Sequence, residues 1–226
     1  MEKDLIIFLE NIYTSNLLKL FDARGLTSIQ MAFYNYFYKN NSDRFDWIMF
    51  IDFDEYINFR ENNNLESYLY HKRFEKCQSI LLNWIIYDDN DLIKYDKRPL
   101  IERFTRQKKE TNIGKAIVRG GINNLLIPTS MNPGINIKYF CNSNGKRIFP
   151  NDFFYRKFEN NSLAYIKHFY TKTAEEFCNK INKGDIHYNI DNILYKAIQN
   201  EKIKEFYRIN KPNEEKIKIL NKCINI

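Results

Sequence analysis

Trp47-Ile48-Met49-Phe50-Ile51-Asp52-Phe53-Asp54-Glu55-Tyr56-Ile57 is the stretch on which the reading of this chain turns. Its five leading apolar residues are bounded upstream by the polar turn Lys39-Asn40-Asn41-Ser42-Asp43 and downstream by carboxylates. Such a run predicts a strand buried on both faces, typical of a parallel sheet. In open α/β sheets, ligands bind beyond the carboxyl ends of strands, and Asp52, Asp54 and Glu55 stand at such an end. Strand alternation would aim Asp52 and Asp54 to one side. Converging carboxylates repel each other and are costly to bury. A divalent cation gives them a reason to converge, because Mg²⁺ and Mn²⁺ are commonly held by one or two carboxylates together with substrate phosphates. A solvated acidic loop after a core strand is the plainer reading of the same residues.

Outward from this block, Leu26, Ile29, Phe33 and Phe37 recur at spacings of three and four, a helical stripe with Gln30 and Tyr34 on a neighbouring face. A second apolar run over residues 79–87 predicts another strand and ends in Asp88-Asp89-Asn90-Asp91. Residues 115–118 and 164–170 read as further strands. Thr173 and Glu176 have capping-box spacing, Phe177 and Ile181 share a face of the helix they open, and Gly184 fits its stop. A basic helix is expected over residues 190–207, followed beyond Pro212 by a short Lys-rich helix or a frayed tail. Strands separated by helical segments suggest an α/β domain.

The chain has 226 residues, enough for one large domain or two small ones. A hydrophobic fraction of 44% can fill a core and rules out disordered, collagen-like and coiled-coil classes. No stretch approaches the roughly 18 apolar residues of a membrane span, and the apolar run at residues 5–9 is too short for a signal peptide. None of the 7 glycines forms a dinucleotide fingerprint or a Walker loop. The net charge of +7 biases the protein toward anionic partners, although its lysines are dispersed as on an ordinary solvated surface. No nucleic-acid partner is expected, because no recognised binding motif is present. The basic C-terminus suits peripheral association with a membrane face. Cys77, Cys141, Cys178 and Cys223 show neither zinc-ligand spacing nor a small disulfide framework, so a reducing, cytoplasmic setting is the default expectation.

Three chemistries place Asp-x-Asp after an apolar strand. Aspartyl-phosphate phosphatases carry Thr or Val two residues past the second Asp, where this chain has Tyr56. Four-carboxylate exonucleases usually start a strand with Asp-x-Glu and need later acidic motifs. Glycosyltransferases of the GT-A fold use Asp-x-Asp at the end of a buried strand, which accommodates every local feature. Of the histidines, His71 and His187 fall in polar surface stretches, whereas His168 ends an aromatic strand just before the capped helix. A histidine there commonly serves packing, yet its neutral imidazole can also complete a metal site.

Together these blocks resemble glycosyltransferase family 92. The stretch at residues 47–57 is similar to its W-x-x-x-h-D-h-D-E-F-h block, and Gln30 with Tyr34 to its Q-x-x-x-Y helix. Residues 80–84 resemble its next strand, Glu102-Arg103-Phe104 its E-R-F step, and Lys115-Ala116-Ile117-Val118-Arg119 its K-x-I-V-R strand. His168-Phe169-Tyr170-Thr171-Lys172-Thr173-Ala174-Glu175-Glu176-Phe177, with Lys180 and Gly184, resembles its late His block. The blocks keep family order over roughly residues 9–185.

The resemblance implies a GT-A-like fold, a Rossmann-like mixed sheet flanked by helices. It implies transfer of a sugar from a nucleoside diphosphate donor, of the UDP-sugar kind, to a glycan acceptor, with inversion. It also implies a divalent metal, Mn²⁺ or Mg²⁺, held by Asp52, Asp54 and His168, with Gln30, Asp52, Lys115 and Lys172 facing the donor. An inverting enzyme needs a general base, and Asp88, Asp89 and Asp91 are the best-placed carboxylates, or else form a solvated acidic turn. The family usually carries another His in the segment that here reads Ser130-Met131-Asn132-Pro133-Gly134. Its members also open with a K-N-E strand and a D-N-x-S-x-D strand, which residues 1–20 do not resemble. The expectation is therefore a transferase domain over residues 1–185, lacking its N-terminal nucleotide-binding strands, and a basic helical extension over residues 186–226. A catalytically inactive remnant that binds a partner is the alternative from a different class.

Overall fold

The computed structural model describes residues 21, 29–61, 64–127, 134–149, 162–182 and 192–224. Leu26, Ser130, Gly184 and His187 lie outside the described residues. In chain order the elements are α1 (Gln30–Asn41), β1 (Trp47–Met49), β2 (Glu55–Phe59), α2 (Leu65–Leu69), β3 (Ser79–Tyr87), α3 (Leu100–Arg103) and β4 (Gln107–Arg119). They continue with β5 (Phe140–Asn142), β6 (Arg147–Ile148), β7 (Ala164–His168), α4 (Ala174–Asn182), α5 (Asn192–Ile209) and α6 (Glu214–Ile224). Short 3-10 turns occupy Ser42–Arg44 and Lys72–Phe74.

Among the described residues the strands form one mixed open sheet flanked by helices, an α/β architecture built around β3. Along one edge β3 pairs antiparallel with β4, from Ser79 opposite Val118 to Tyr87 opposite Gln107. Its other edge is shared: β5 lies parallel beside Ser79 to Leu81, and β7 lies parallel beside Trp84 to Ile86. β2 adds antiparallel to β7, and β1 adds antiparallel to β4. Residues 50–54 therefore carry the chain from one side of β3 to the other.

The unbroken apolar run of β3 follows from burial on both faces. Leu81 joins Tyr38, Ile48, Val118 and Phe140 on the α1 face. Its neighbours Ile80 and Leu82 join Phe74, Ile117 and Ile166 on the other, as strand alternation requires. Each such side chain contributes about 1.5–3 kcal/mol of burial. At residue 83 the two central strands come unusually close: a Cβ on Gly114 would collide with the Leu82 carbonyl, beside a register shift between Asn83 and Ile85.

The strand over residues 47–51 differs from expectation. It stops at Met49 and runs antiparallel to β4 at the end of the sheet path. Phe50 leaves the ladder and stacks on Tyr34 of α1 at 4.0 Å, and Ile51 is exposed. An apolar run reports burial and not strand direction, which is why it suggested a parallel neighbour. At the other end of the chain, Phe177 and Ile181 of α4 share a core with Ile203 and Phe206 of α5 and Leu220 of α6. The capping box forms as expected: Thr173 Oγ1 accepts from the Glu176 backbone N–H at 3.2 Å, and Glu176 Oε2 accepts from Thr173 N–H at 3.3 Å.

The expectation of reduced cysteines is corrected. Cys77 and Cys141 are joined by a disulfide, which ties the segment before β3 to β5. Parallel pairing of Ile80 with Cys141 brings the two sulfurs together, and their separation of 64 residues hid this from sequence. The cysteines therefore give no argument for a reducing compartment. No helix among the described residues is long and apolar enough to cross a membrane. Replacing Cys77 with Ser is expected to lower stability by about 4 kcal/mol, the loop-closure value for so long a loop. Denaturation with and without reductant reads the same loss, and an unmoved midpoint would show that the bridge does not form.

Candidate active site

Asp52 and Asp54 fall in and beside the turn that leads into β2 at Glu55, so the alternation of a strand does not place them on one side. The turn closes on itself: Glu55 N–H donates to the Asp52 carbonyl at 3.0 Å, and Asp52 N–H donates to Glu55 Oε2 at 3.1 Å. Asp52 then faces β4, where Lys115 Nζ lies 2.8 Å from its Oδ2 and 3.5 Å from Glu55 Oε2. The Lys115 side chain is only 1% exposed. Burial pushes the Glu55 carboxyl up to about 7 even though the Lys115 ammonium opposes the shift. Burial works against the charge on Lys115 as well, but its bond to Asp52 and the field of Glu55 outweigh it and raise its pKa.

Gln30 reaches this group through Tyr34. Its Nε2 donates to Tyr34 Oη at 2.8 Å. Burial raises the pKa of that phenol, which also feels the charges of Asp52 and Lys115. Gln30, Tyr34, Asp52 and Lys115, all singled out from sequence, thus belong to one cluster.

Asp54 belongs to a second cluster, at the end of β7. Because Glu55 is in register with His168, the preceding carboxylate falls beside the imidazole, with Asp54 Oδ1 at 3.9 Å from His168 Nε2. Lys172 Nζ and Lys180 Nζ each lie 3.3 Å from Asp54 Oδ2. Burial alone would raise the Asp54 pKa, but the two ammonium groups and His168 hold it below the usual carboxylate range. Burial drives the His168 pKa down to about 4, so the ring is neutral at pH 7. Lys172 has φ +54°, a left-handed conformation unusual for a side chain of this size. Backbone strain of this kind tends to be kept where it positions a functional group, and here it stands in the loop that brings Lys172 to Asp54. Phe53, between the two acidic residues, is 96% exposed.

Asp88, Asp89 and Asp91 form a third network beyond the end of β3. Asp88 Oδ1 accepts from Arg106 Nε at 3.0 Å, and Asp91 Oδ2 from Arg106 Nη1 at 2.6 Å. Asp89 pairs with Lys216 of α6 at 2.6 Å, both side chains being wholly buried. Asn210 Oδ1 accepts from Asp89 N–H at 2.8 Å. The arrangement fastens the corner between α5 and α6 to the sheet.

Lys180 was quoted in sequence only as part of a block, and the partners of Glu55 were not foreseen. Neither could be read, since Lys180 meets Asp54 across 126 positions. Trp84, Glu110, Tyr170 and Glu205, which line a hollow beside His168, also carried no local signal of a site.

Asp54 and neutral His168 fit a divalent cation as two donors, an oxygen and an imidazole nitrogen. Among the described residues no group of three or more His, Cys, Asp or Glu gathers to hold a metal, so the remaining ligands would be phosphate oxygens and water, a common arrangement for Mg²⁺. The repulsion that the carboxylates would otherwise feel is met here by lysines. A scan of the chain against known protein families finds no match, and a search of curated proteins finds none. The fold and site define a mixed α/β domain with a carboxylate, lysine and histidine cluster on the segment that crosses β3 to the end of β7.

Lys216→Ala is expected to destabilise the protein by about 3–5 kcal/mol, because it strands the buried Asp89 charge. The pair Asp89→Leu with Lys216→Met should recover most of that loss. Urea denaturation of both variants checks this, and equal losses would show that the pairing is not what fastens the helices.

Proposed function

We propose that the protein is a metal-dependent glycosyltransferase of the GT-A type, related to glycosyltransferase family 92. It transfers a sugar from a UDP-sugar donor to a glycan acceptor with inversion. The observation that carries this reading is the meeting of Asp54, neutral His168, Lys172 and Lys180 at the end of β7. An acidic oxygen and an unprotonated imidazole suit a Mn²⁺ or Mg²⁺ ion, and two ammonium groups beside them suit the oxygens of a diphosphate.

In this reading Asp54 and His168 hold the cation, which supplies Lewis-acid stabilisation of the leaving diphosphate. Lys172 and Lys180 spread its negative charge as the bond to the anomeric carbon breaks. Lys115 fixes Asp52 toward the donor, and Gln30 steadies that side through Tyr34. The acceptor oxygen forms the new bond to the anomeric carbon, and its proton passes to a carboxylate. Asp88, Asp89 and Asp91 remain proposals for that carboxylate, and a base drawn from them must first leave its ion pair. The lysines that already balance Asp52 and Asp54 favour a second reading, an inactive remnant that binds neither donor nor metal. Calorimetric titration with UDP and Mn²⁺ separates the two, since no heat at millimolar ligand supports the remnant.

With UDP-sugars and Mn²⁺, turnover is expected in the wild type and a loss of about two orders of magnitude in Asp54→Ala, the scale of removing one organised charge. Equal rates in both would sink the proposal. Lys172→Gly relaxes the left-handed backbone, so stability should change by no more than about 1 kcal/mol. UDP affinity in Mn²⁺ should meanwhile fall about tenfold through loss of a charged hydrogen bond. Unchanged UDP affinity in this variant would remove Lys172 from the diphosphate site.

A further inference from the structure

We infer that the hollow beside His168 is a binding groove for a pyranose ring of the acceptor glycan, walled on one side by helix α5. The inference rests on the transferase reading for the identity of the acceptor, but its geometry stands on separate residues. The hollow has a volume of about 500 Å³ and draws Trp84 from β3, Glu110 and Asn112 from β4, His168 and Tyr170 from the end of β7, and Glu205 from α5. A second hollow of about 390 Å³ shares Tyr170 and Glu205 and runs along α5 between Ala197 and Arg208. The two hollows thus adjoin at Tyr170 and Glu205.

The chemistry of the walls selects the ligand. Trp84 and His168 have ring centroids 4.6 Å apart with planes tilted by 50°, and His168 and Tyr170 meet edge to face at 5.6 Å, so three aromatic rings in mutual contact line the hollow. A pyranose presents an apolar C–H face that packs on such rings, and a rim of hydroxyls. Carboxylates and amides bond those hydroxyls well, and Glu110, Asn112 and Glu205 supply them. A purely aliphatic ligand would leave these groups unpaired. Along the two hollows Glu110, Glu201 and Glu205 stand with Lys109, Lys202 and Arg208, so no excess of either sign selects a charged ligand. A neutral polyhydroxylated ring satisfies both constraints. His168 belongs to this groove and to the Asp54 cluster alike, so a ring held here lies next to the proposed diphosphate site. The C-terminal helices, which sequence placed in an extension, thereby contribute a wall of the site.

The test titrates the full chain, without donor or metal, with cellobiose, maltose, lactose and diacetylchitobiose up to about 50 mM, following tryptophan fluorescence. The other tryptophan, Trp47, lies under the Arg119 guanidinium at 4.1 Å and does not line the hollow. A saturable change is expected with at least one disaccharide. Trp84→Phe should remove the change, and Glu205→Gln should weaken binding about tenfold, the loss of one charged hydrogen bond. Thermal unfolding of each variant checks that it is folded, and for Trp84→Phe binding is also read by calorimetry. No response to any of these sugars overturns the groove, as does a response unchanged in both variants. Sugar binding without UDP and Mn²⁺ binding would keep the groove and remove the transferase reading. Binding of UDP and Mn²⁺ without sugar binding would do the reverse.

Discussion

Three carboxylates stand at residues 52–55 where the chain crosses an apolar sheet, and the rest of the site depends on how their charge is met. Lys115 of β4 serves Asp52 and Glu55, while Lys172 and Lys180 serve Asp54. These lysines come from opposite sides of β3, since β4 lies along one edge and β7, with the loop and helix that follow it, along the other. The short segment at residues 50–54 is thus held at both ends of its crossing. At an effective dielectric near 20, a pair of unit charges about 4 Å apart attracts by roughly 4 kcal/mol before desolvation is counted. Desolvation offsets much of this for a group as buried as Lys115, so the gain is chiefly one of position. Acidic groups that would otherwise scatter into solvent are kept against the sheet.

A second buried pair plays a matching part at the end of β3. Lys216 and Asp89 are both fully buried, and Lys216 Nζ also donates to the Lys211 carbonyl at 3.1 Å. The apolar core of Phe177, Phe206 and Leu220 would hold three helices together in many rotational settings. A single charged pair with a fixed backbone bond selects one, which is the best-attested use of buried polar groups. Glu205 lies on the helix so fixed, and its place beside His168 follows from that selection.

How far the sequence can be read depends on whether a feature is local. The run at residues 79–87 matches β3 end to end because both of its faces are apolar. The Thr173 capping box is legible because its partners are three residues apart. By contrast, only residues 115–118 of β4 were visible, since Lys108, Lys109 and Glu110 of the same strand are exposed and carry no apolar signal. In α1 the stripe points to Phe33 and Phe37, yet the buried residue is Tyr38, off the stripe, and the helix runs on to Asn41 through residues that read as a polar turn. The nearness of Asp54 and His168 could be anticipated only through a resemblance, because their pairing depends on the register of β2 with β7. Long-range partners such as Lys180 for Asp54, Lys216 for Asp89 and Cys141 for Cys77 leave no trace in spacing.

The balance of charge in the cluster bears on what it can bind. Asp52 and Asp54, with Glu55 only partly ionised at neutral pH, face Lys115, Lys172 and Lys180, and His168 is neutral, so attraction and repulsion largely offset within the site. A lone cation approaching Asp54 would meet two ammonium groups already in place. A lone diphosphate approaching those ammonium groups would meet Asp54. In the proposed transferase, the two ligands arriving together remove both conflicts, because Asp54 and His168 then answer the cation while Lys172 and Lys180 answer the phosphates. Each ligand thereby favours the other, and by linkage the coupling is the same in both directions. Under the transferase proposal, a cluster balanced in this way would take a metal–diphosphate pair more readily than either member alone, the form in which a nucleotide-sugar donor meets a divalent ion. Under the remnant reading, the same balance leaves no ligand to be answered.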